Sequence, residues 1–541
     1  MNDNFNDRGI KRKLVSKFKI NKNGEPQYFI SAGFASRFVS VNVNMQFSSP
    51  INKIEFPVLK FLPVTMQQLL INYWNHNDQP QIIYSFTDNS PIKITSEGYD
   101  SLLFLDKTIV LERIKISGLI WGNEFAWITK NKELIFVSTN DTEGDKTEII
   151  NEKFRLLFLQ MLAISSGYSI DAVAKEYPGV IKIQRNIIIV NGNLVNVVGK
   201  DSIITNAMIV IKESIINYVG KLDSSKIVPN SFMIDGHGKY ILPGLWDMHA
   251  HVMQAEWLPK YIMQGVTTVR DCGNEFDFIN SLQIAVTKNK IMGPVIIKAG
   301  LIDGSKDALG VMQAKTKKSA IILVDKYKEN GFAQIKIYSN VKYSILKVIC
   351  KEAHKLGMTV TGHLPYGHTA KTNINAGMDM VSHISYFQNV INLKEHRFNY
   401  ADKGTKDFVR LLQEKKIVLD PTLSVYANSD KAYLENLPYY KLVTNQLRQQ
   451  GIPIIAGTDM SPGGIADELA MYVNAGFTAL QAIQSATIIP ARVMKMDKEK
   501  GSVEEGKKAD IILIEGNPLQ NIGNLKNVKT VIKNNSVFEF E

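Results

Sequence analysis

Residues 242–251 read Leu242-Pro243-Gly244-Leu245-Trp246-Asp247-Met248-His249-Ala250-His251. An apolar lead runs into two histidines one residue apart. In a strand, side chains at i and i+2 share a face. His249 and His251 can therefore aim two imidazoles at one point, which suits a metal ion such as zinc. A His-x-His pair also arises in loops and ordinary cores, so the rest of the chain has to decide.

From this stretch the chain alternates strand and helix eight times. Strands are expected at Leu245–His251, Thr267–Asp271, Val295–Gly300, Gln334–Tyr338, Thr359–His363, Met380–Ile384, Ile417–Pro421 and Ile454–Asp459. Helical stretches lie between them, for example 346–356 and 408–415. This rhythm implies parallel pairing, and eight units imply a (β/α)8 barrel, whose active residues sit at the C-terminal ends of the strands. The first strand carries His249 and His251, and the fourth carries Lys336. The fifth ends at His363, the sixth with His383, and the eighth with Asp459 of Gly457-Thr458-Asp459. Four of the nine histidines thus fall at strand ends. One barrel mouth would gather nitrogen and oxygen ligands around an open position.

The flanks read as β. Asn186–Val190 and Leu194–Val198, joined by Asn191-Gly192, are expected to form a hairpin. Further short strands follow at 207–211 and 215–219, and the tail repeats the texture at 510–514 and 528–532. The expected division is an N-terminal β-rich domain over 1–182, a composite β-sandwich from 183–244 and 490–541, and the barrel over 245–489. In the first region, strands are expected at 28–30, 38–43, 81–86, 92–95, 108–116, 125–128 and 134–138. A turn is expected at 130–132 and one helix over 149–165. No metal ligand is expected there.

With 541 residues, 45% hydrophobic and 21% charged, the chain has ample material for more than one core. The net charge of +11 comes without a basic block or a nucleic-acid motif, and fits solvated lysines rather than a nucleic-acid partner. The two cysteines, Cys272 and Cys350, exclude a disulfide framework. The basic N-terminus does not read as a secretory signal, which makes the cytoplasm the default. A start upstream of Met1 would leave the periplasm or secretion open. The longest apolar run, near 156–164, is shorter than a membrane span. Homo-oligomerisation is left open.

In combination these motifs resemble the amidohydrolase superfamily of metal-dependent hydrolases, its prolidase-like and imidazolonepropionase-like branch in particular. The matching residues are 242–251, Gly265-Val266-Thr267-Thr268-Val269-Arg270-Asp271, Lys336, His363, His383 and Gly457-Thr458-Asp459. Ala486-Thr487, Pro490-Ala491, Gly501-Ser502-Val503 and Gly506-Lys507-Lys508-Ala509-Asp510 follow. The resemblance covers about residues 183–541. It implies one divalent metal on His249, His251 and Asp459 and a second on His363 and His383. The metal would be zinc, with manganese as the alternative. Lys336 would bridge the two ions as a carbamate made with carbon dioxide; an unmodified lysine would leave a mononuclear site. Asp459 would shuttle the proton, against its alternative as the N-cap of a helix over 463–469. The implied reaction is hydrolysis of a C–N bond in a small molecule, first a dipeptide or N-acyl amino acid, then a cyclic amide. A non-catalytic binding protein on a relic barrel is the remaining class.

Other candidates carry less. Arg270 is placed to hold a substrate carboxylate, or to pair structurally with Asp271 or Asp247. Tyr338, Tyr366 and Tyr386 follow ligand strands and either bind substrate or pack at the rim. His368 lies on the loop after His363. His76, His237, His354 and His396 have no partner pattern and read as surface or core residues.

Overall fold

The computed structural model describes residues 2–540 except 8–9, 21–25, 35–39, 47–53, 57–63, 86–87, 142–143, 178–181, 200–201, 305–311, 388–399, 401, 430 and 461. Phe38, Val39, Phe86 and His396 thus lie outside the described residues. The chain divides into two compact units, Met1–Val173 with Met253–Glu256, and Ala174–Val252 with Trp257–Glu541.

The first unit is largely antiparallel. Asn2–Asp7, Ile10–Ile20, Pro26–Phe34 and Ser40–Gln46 form a four-stranded sheet. A seven-stranded sheet runs from Glu55–Phe56 to Lys146–Ile150, with Glu55–Phe56 and Ile83–Ser85 its parallel pair. The expected turn at 130–132 is present: Thr129 N donates to Glu133 O and Lys132 takes a positive φ. The sequence reading did not foresee the helix Val64–His76. Its Met66, Leu70, Ile71 and Trp74 are spaced for one helical face and pack in the sheet's core. The helix expected over 149–165 is displaced. Ile149 and Ile150 pair in the last strand, Glu152–Leu157 is a 3-10 turn, and the helix is Phe158–Glu176. Among the described residues, Glu152–Glu176 is the one helical stretch long and apolar enough by length and composition to cross a membrane, and 44% of its most apolar window is buried. Leu157, Met161 and Leu162 are instead packed in a core with Trp127 and Phe136.

In the second unit, strands before and after the barrel join in one nine-stranded sheet. Its core unites Ile209 and Ile211 near one end of the strand order with Ile532 and Val537 near the other, so the sheet folds over into the expected sandwich. The expected hairpin at Asn191-Gly192 does not form. Asn186–Val195 is one strand, paired with Ile203–Lys212 through register shifts around Gly192. Asn191 takes φ +60°, and a Cβ on Gly192 would lie 2.4 Å from Ile241 Cδ1, so this dipeptide makes a bulge against a close neighbour. The turn comes later, where Asn196 N donates to Ser202 O.

The barrel strands are Leu245–Ala250, Val266–Asp271, Val295–Ile302, Gln334–Ile337, Thr359–Gly362, Met380–Ser382 and Val418–Asp420. The first five form one parallel sheet and the next two another. Asp379 N donates to Val360 O, bridging them. The eighth segment keeps only a parallel bridge, Ile454 to Leu419. It still closes the ring: Ile455 N donates to Leu419 O, and Met248 N donates to Ala456 O.

Candidate metal centre

Barrel geometry puts alternate residues of each strand inside. Lys336, between the buried Ile335 and Ile337, points inward to the histidines. His249, His251, Lys336, His363, His383 and Asp459 all meet at one mouth. Asp459 Oδ1 lies 3.2 Å from His251 Nε2 and 3.4 Å from His249 Nε2, and Oδ2 lies 3.6 Å from His383 Nε2. His363 Nε2 and His383 Nε2 are 3.1 Å apart, and Lys336 Nζ is 3.0 Å from His249 Nε2. Every one of the four histidines turns Nε2 to the centre and uses Nδ1 outward. The Nδ1 partners are Asp420 Oδ2 for His249 (2.7 Å), Gly273 O for His251 (2.9 Å), Ser339 Oγ for His363 (3.0 Å) and Thr422 Oγ1 for His383 (2.7 Å). Thr422 Oγ1 donates its own proton to Pro421 O, so it accepts from His383. Three of these partners take an Nδ1–H, which in the neutral ring leaves the lone pair on the inward Nε2.

This donor set fits a divalent ion. Ligand atoms of His249, His383 and Asp459 lie within 4.8 Å of one another. The electrostatics agree. Burial pushes His249, His363 and His383 down, His383 to about 4, so these rings are neutral donors. Burial also lowers His251, but the Asp459 carboxylate outweighs it and holds that ring up at about 9. Burial pushes Asp459 up, and the facing imidazoles more than reverse it, holding the carboxyl well below the usual range. Burial lowers the Lys336 amine, towards the neutral form that can add carbon dioxide.

The backbone is shaped for the site. His383 and Asp459 both hold positive φ, +69° and +52°, conformations costly for such residues and concentrated at functional sites. The Gly-Thr-Asp sequence acquires a reason. A Cβ at position 457 would lie 2.6 Å from both His249 Cβ and Asp420 Oδ1, so only glycine lets the last segment close on the first strand. Thr458 donates Oγ1–H to Asp247 Oδ2 at 2.7 Å, tying the same two segments. Asp459 is not a helix cap: the next helix is Ile465–Asn474, with Gly464 at its N-cap.

Arg270 is fully enclosed and pairs with Asp420, not with Asp271 or Asp247, so no part of it is open to a substrate carboxylate. Tyr338 packs on His363 with ring centroids 4.3 Å apart, and Tyr386 lies 5.5 Å from the same ring. Tyr366 is exposed, and the exposed His368 lies against Tyr343, 5.0 Å between centroids. His354 pairs at the surface with Asp379; His76 and His237 are exposed. Both cysteines are free and buried. The sequence reading passed over Asp420, Thr422 and Ser339. Their one visible signal was position, each at or just beyond the end of a barrel strand.

Residues 240–537, more than half of the chain, match the amidohydrolase family, and the chain belongs to it. It is an enzyme acting on carbon–nitrogen bonds, which sets aside the relic-barrel reading. It is 23% identical over 404 residues to the ochratoxinase of Aspergillus niger, covering 60% of this chain and 81% of that one. It is 25% identical over 397 residues to the imidazolonepropionase of Caldanaerobacter subterraneus subsp. tengcongensis, covering 61% and 89%. Among solved structures, a Xaa-Pro dipeptidase with bound methionine in the active site superposes with a TM-score of 0.55 at 24% identity, covering 66% of this chain and all of that one.

Proposed function

We propose that the chain is a binuclear metallohydrolase that cleaves the amide bond of a dipeptide or N-acyl amino acid. The observation that carries this reading is the convergence of four inward Nε2 atoms, the Asp459 carboxylate and the Lys336 amine on one mouth. His249, His251 and Asp459 would hold one ion and His363 and His383 the other. Lys336 would lie between them after its neutral amine attacks carbon dioxide, forming an N–C bond and releasing one proton. Bound there, divalent ions such as zinc supply a water acid enough to ionise near neutral pH and a Lewis acid for the carbonyl. Asp459 accepts the proton of the attacking water and returns it to the departing nitrogen. Tyr338 and Tyr386 flank His363 and offer the substrate an aromatic wall.

The Xaa-Pro dipeptidase neighbour supports this substrate class. A hydrolysis screen of dipeptides, N-acyl amino acids and cyclic amides, run on metal-loaded protein, tests it. Turnover of the first two is expected. Turnover confined to cyclic amides would overturn the substrate class, and turnover of none would overturn the reading.

A further inference from the structure

Arg270 lies beneath the histidines, inside the barrel. Its Nε donates to Met248 O at 2.5 Å, and its Nη1 reaches Gln334 Oε1 at 3.2 Å and Thr361 Oγ1 at 3.3 Å. Its Nη2 pairs with Asp420 Oδ2 at 3.0 Å. One guanidinium from the second strand thus links the first, fourth, fifth and seventh. Arg270 and Asp420 are both 0% exposed. Burying such a pair returns little stability, because desolvation offsets the attraction. What it supplies is direction. Asp420 Oδ2 also meets His249 Nδ1, and Asp420 Oδ1 faces the Gly457 backbone, where a Cβ would stand 2.6 Å away. The carboxylate has little room to turn.

We propose that Asp420 and Arg270 are positioning residues for the metal centre: Arg270 holds the Asp420 carboxylate, and Asp420 holds His249 as the tautomer whose Nε2 lone pair faces inward. Of the four histidines, only His249 has a carboxylate behind it. The others lean on Gly273 O, Ser339 Oγ and Thr422 Oγ1, all uncharged. A carboxylate behind an imidazole raises its basicity as a ligand. The metal equivalent that His249 serves is therefore the tighter of the two, and the pair is what makes it so.

This inference rests on the metal reading above, and one experiment separates the two. The full chain is stripped of metal and titrated with zinc against a chromophoric chelator, as wild type, Asp420→Asn, Arg270→Lys and Thr422→Val. Asp420→Asn should lose about 10- to 100-fold in affinity for one equivalent only. Arg270→Lys keeps the charge but not the fork, and should move the same equivalent by less. Thr422→Val removes an uncharged partner, and should spare the tight equivalent. At saturating zinc, Asp420→Asn should regain most of its lost kcat, which a merely structural role would not give; its metal-free thermal unfolding temperature should fall, because Arg270 is left buried without its carboxylate. Wild-type affinity for both equivalents in Asp420→Asn, or an equal loss at the tight equivalent in Thr422→Val, overturns the inference. Should Asp420→Asn not fold, Arg270→Lys decides on the same readout. No zinc bound by the wild type overturns the metal reading as well.

Discussion

Glu124 of the first unit and Asp459 of the second, its side chain 21% exposed, are two enclosed carboxylates that behave in opposite ways. In the first unit Glu124 is 0% exposed, and its Oε1 accepts from Gln67 Nε2 at 2.7 Å and from Thr139 Oγ1. Burial pushes this carboxyl up to about 7, and two neutral donors do not reverse it. In the second unit burial pushes Asp459 the same way, yet the imidazoles of His249, His251 and His383 hold it ionised. Burial sets the cost of a charge; the partners decide whether the charge survives. A neutral carboxyl among amides and hydroxyls is a piece of core. An ionised one ringed by imidazoles at a barrel mouth has the makings of a metal ligand and a proton carrier.

The largest expected effect breaks the barrel side of this contrast. Asp459→Asn keeps volume and removes the proton carrier, and kcat should fall by about a hundred- to ten-thousand-fold while the fold persists. Retained metal should fall too, since the carboxylate is a proposed ligand; wild-type turnover would remove Asp459 from the mechanism. Next comes Lys336→Ala, expected to lose one of two metal equivalents and most activity. Acetate or bicarbonate should restore part of it by standing in for the carbamate oxygens. Two equivalents and normal turnover in that variant would end the bridging role.

The effect in the first unit is smaller and reads as stability. Because the folded Glu124 holds its proton up to about 7, its contribution is complete below the unfolded value, near 4.3. It is lost as pH rises through about 7, about 4 kcal/mol in all by linkage. Hydrogen exchange on the strand Asn123–Ile128 should therefore be slower to open at pH 5 than at pH 8, after correction for intrinsic exchange. Glu124→Gln should flatten that dependence. An unchanged slope would mean the carboxyl is ionised in the core after all. The smallest effect belongs to the aromatic wall: Tyr338→Ala should raise KM about two- to tenfold with little change in kcat.

The barrel was legible because strand–helix alternation and six strand-end residues obey simple periodicities. The first strand was readable almost residue by residue from Leu245 to His251. The eighth was not, because its ladder is reduced to one bridge and Asp459 turns to positive φ. Asn191-Gly192 carried a hairpin signature that the long pairing with 203–212 overrode. The helix Val64–His76 showed its spacing only at Met66, Leu70, Ile71 and Trp74. Asp420 was invisible as a partner because its role depends on three strands meeting, which no local pattern records. Arg270 misled for the same reason: its charge was visible, but its enclosure was not.

The account stands on the six converging side chains holding metal. Elemental analysis of the purified chain after reconstitution with zinc or manganese tests this most directly. Two ions per chain are expected, with activity lost on chelation and restored on re-addition. A chain that stays folded, binds neither ion and carries none from growth would contradict it.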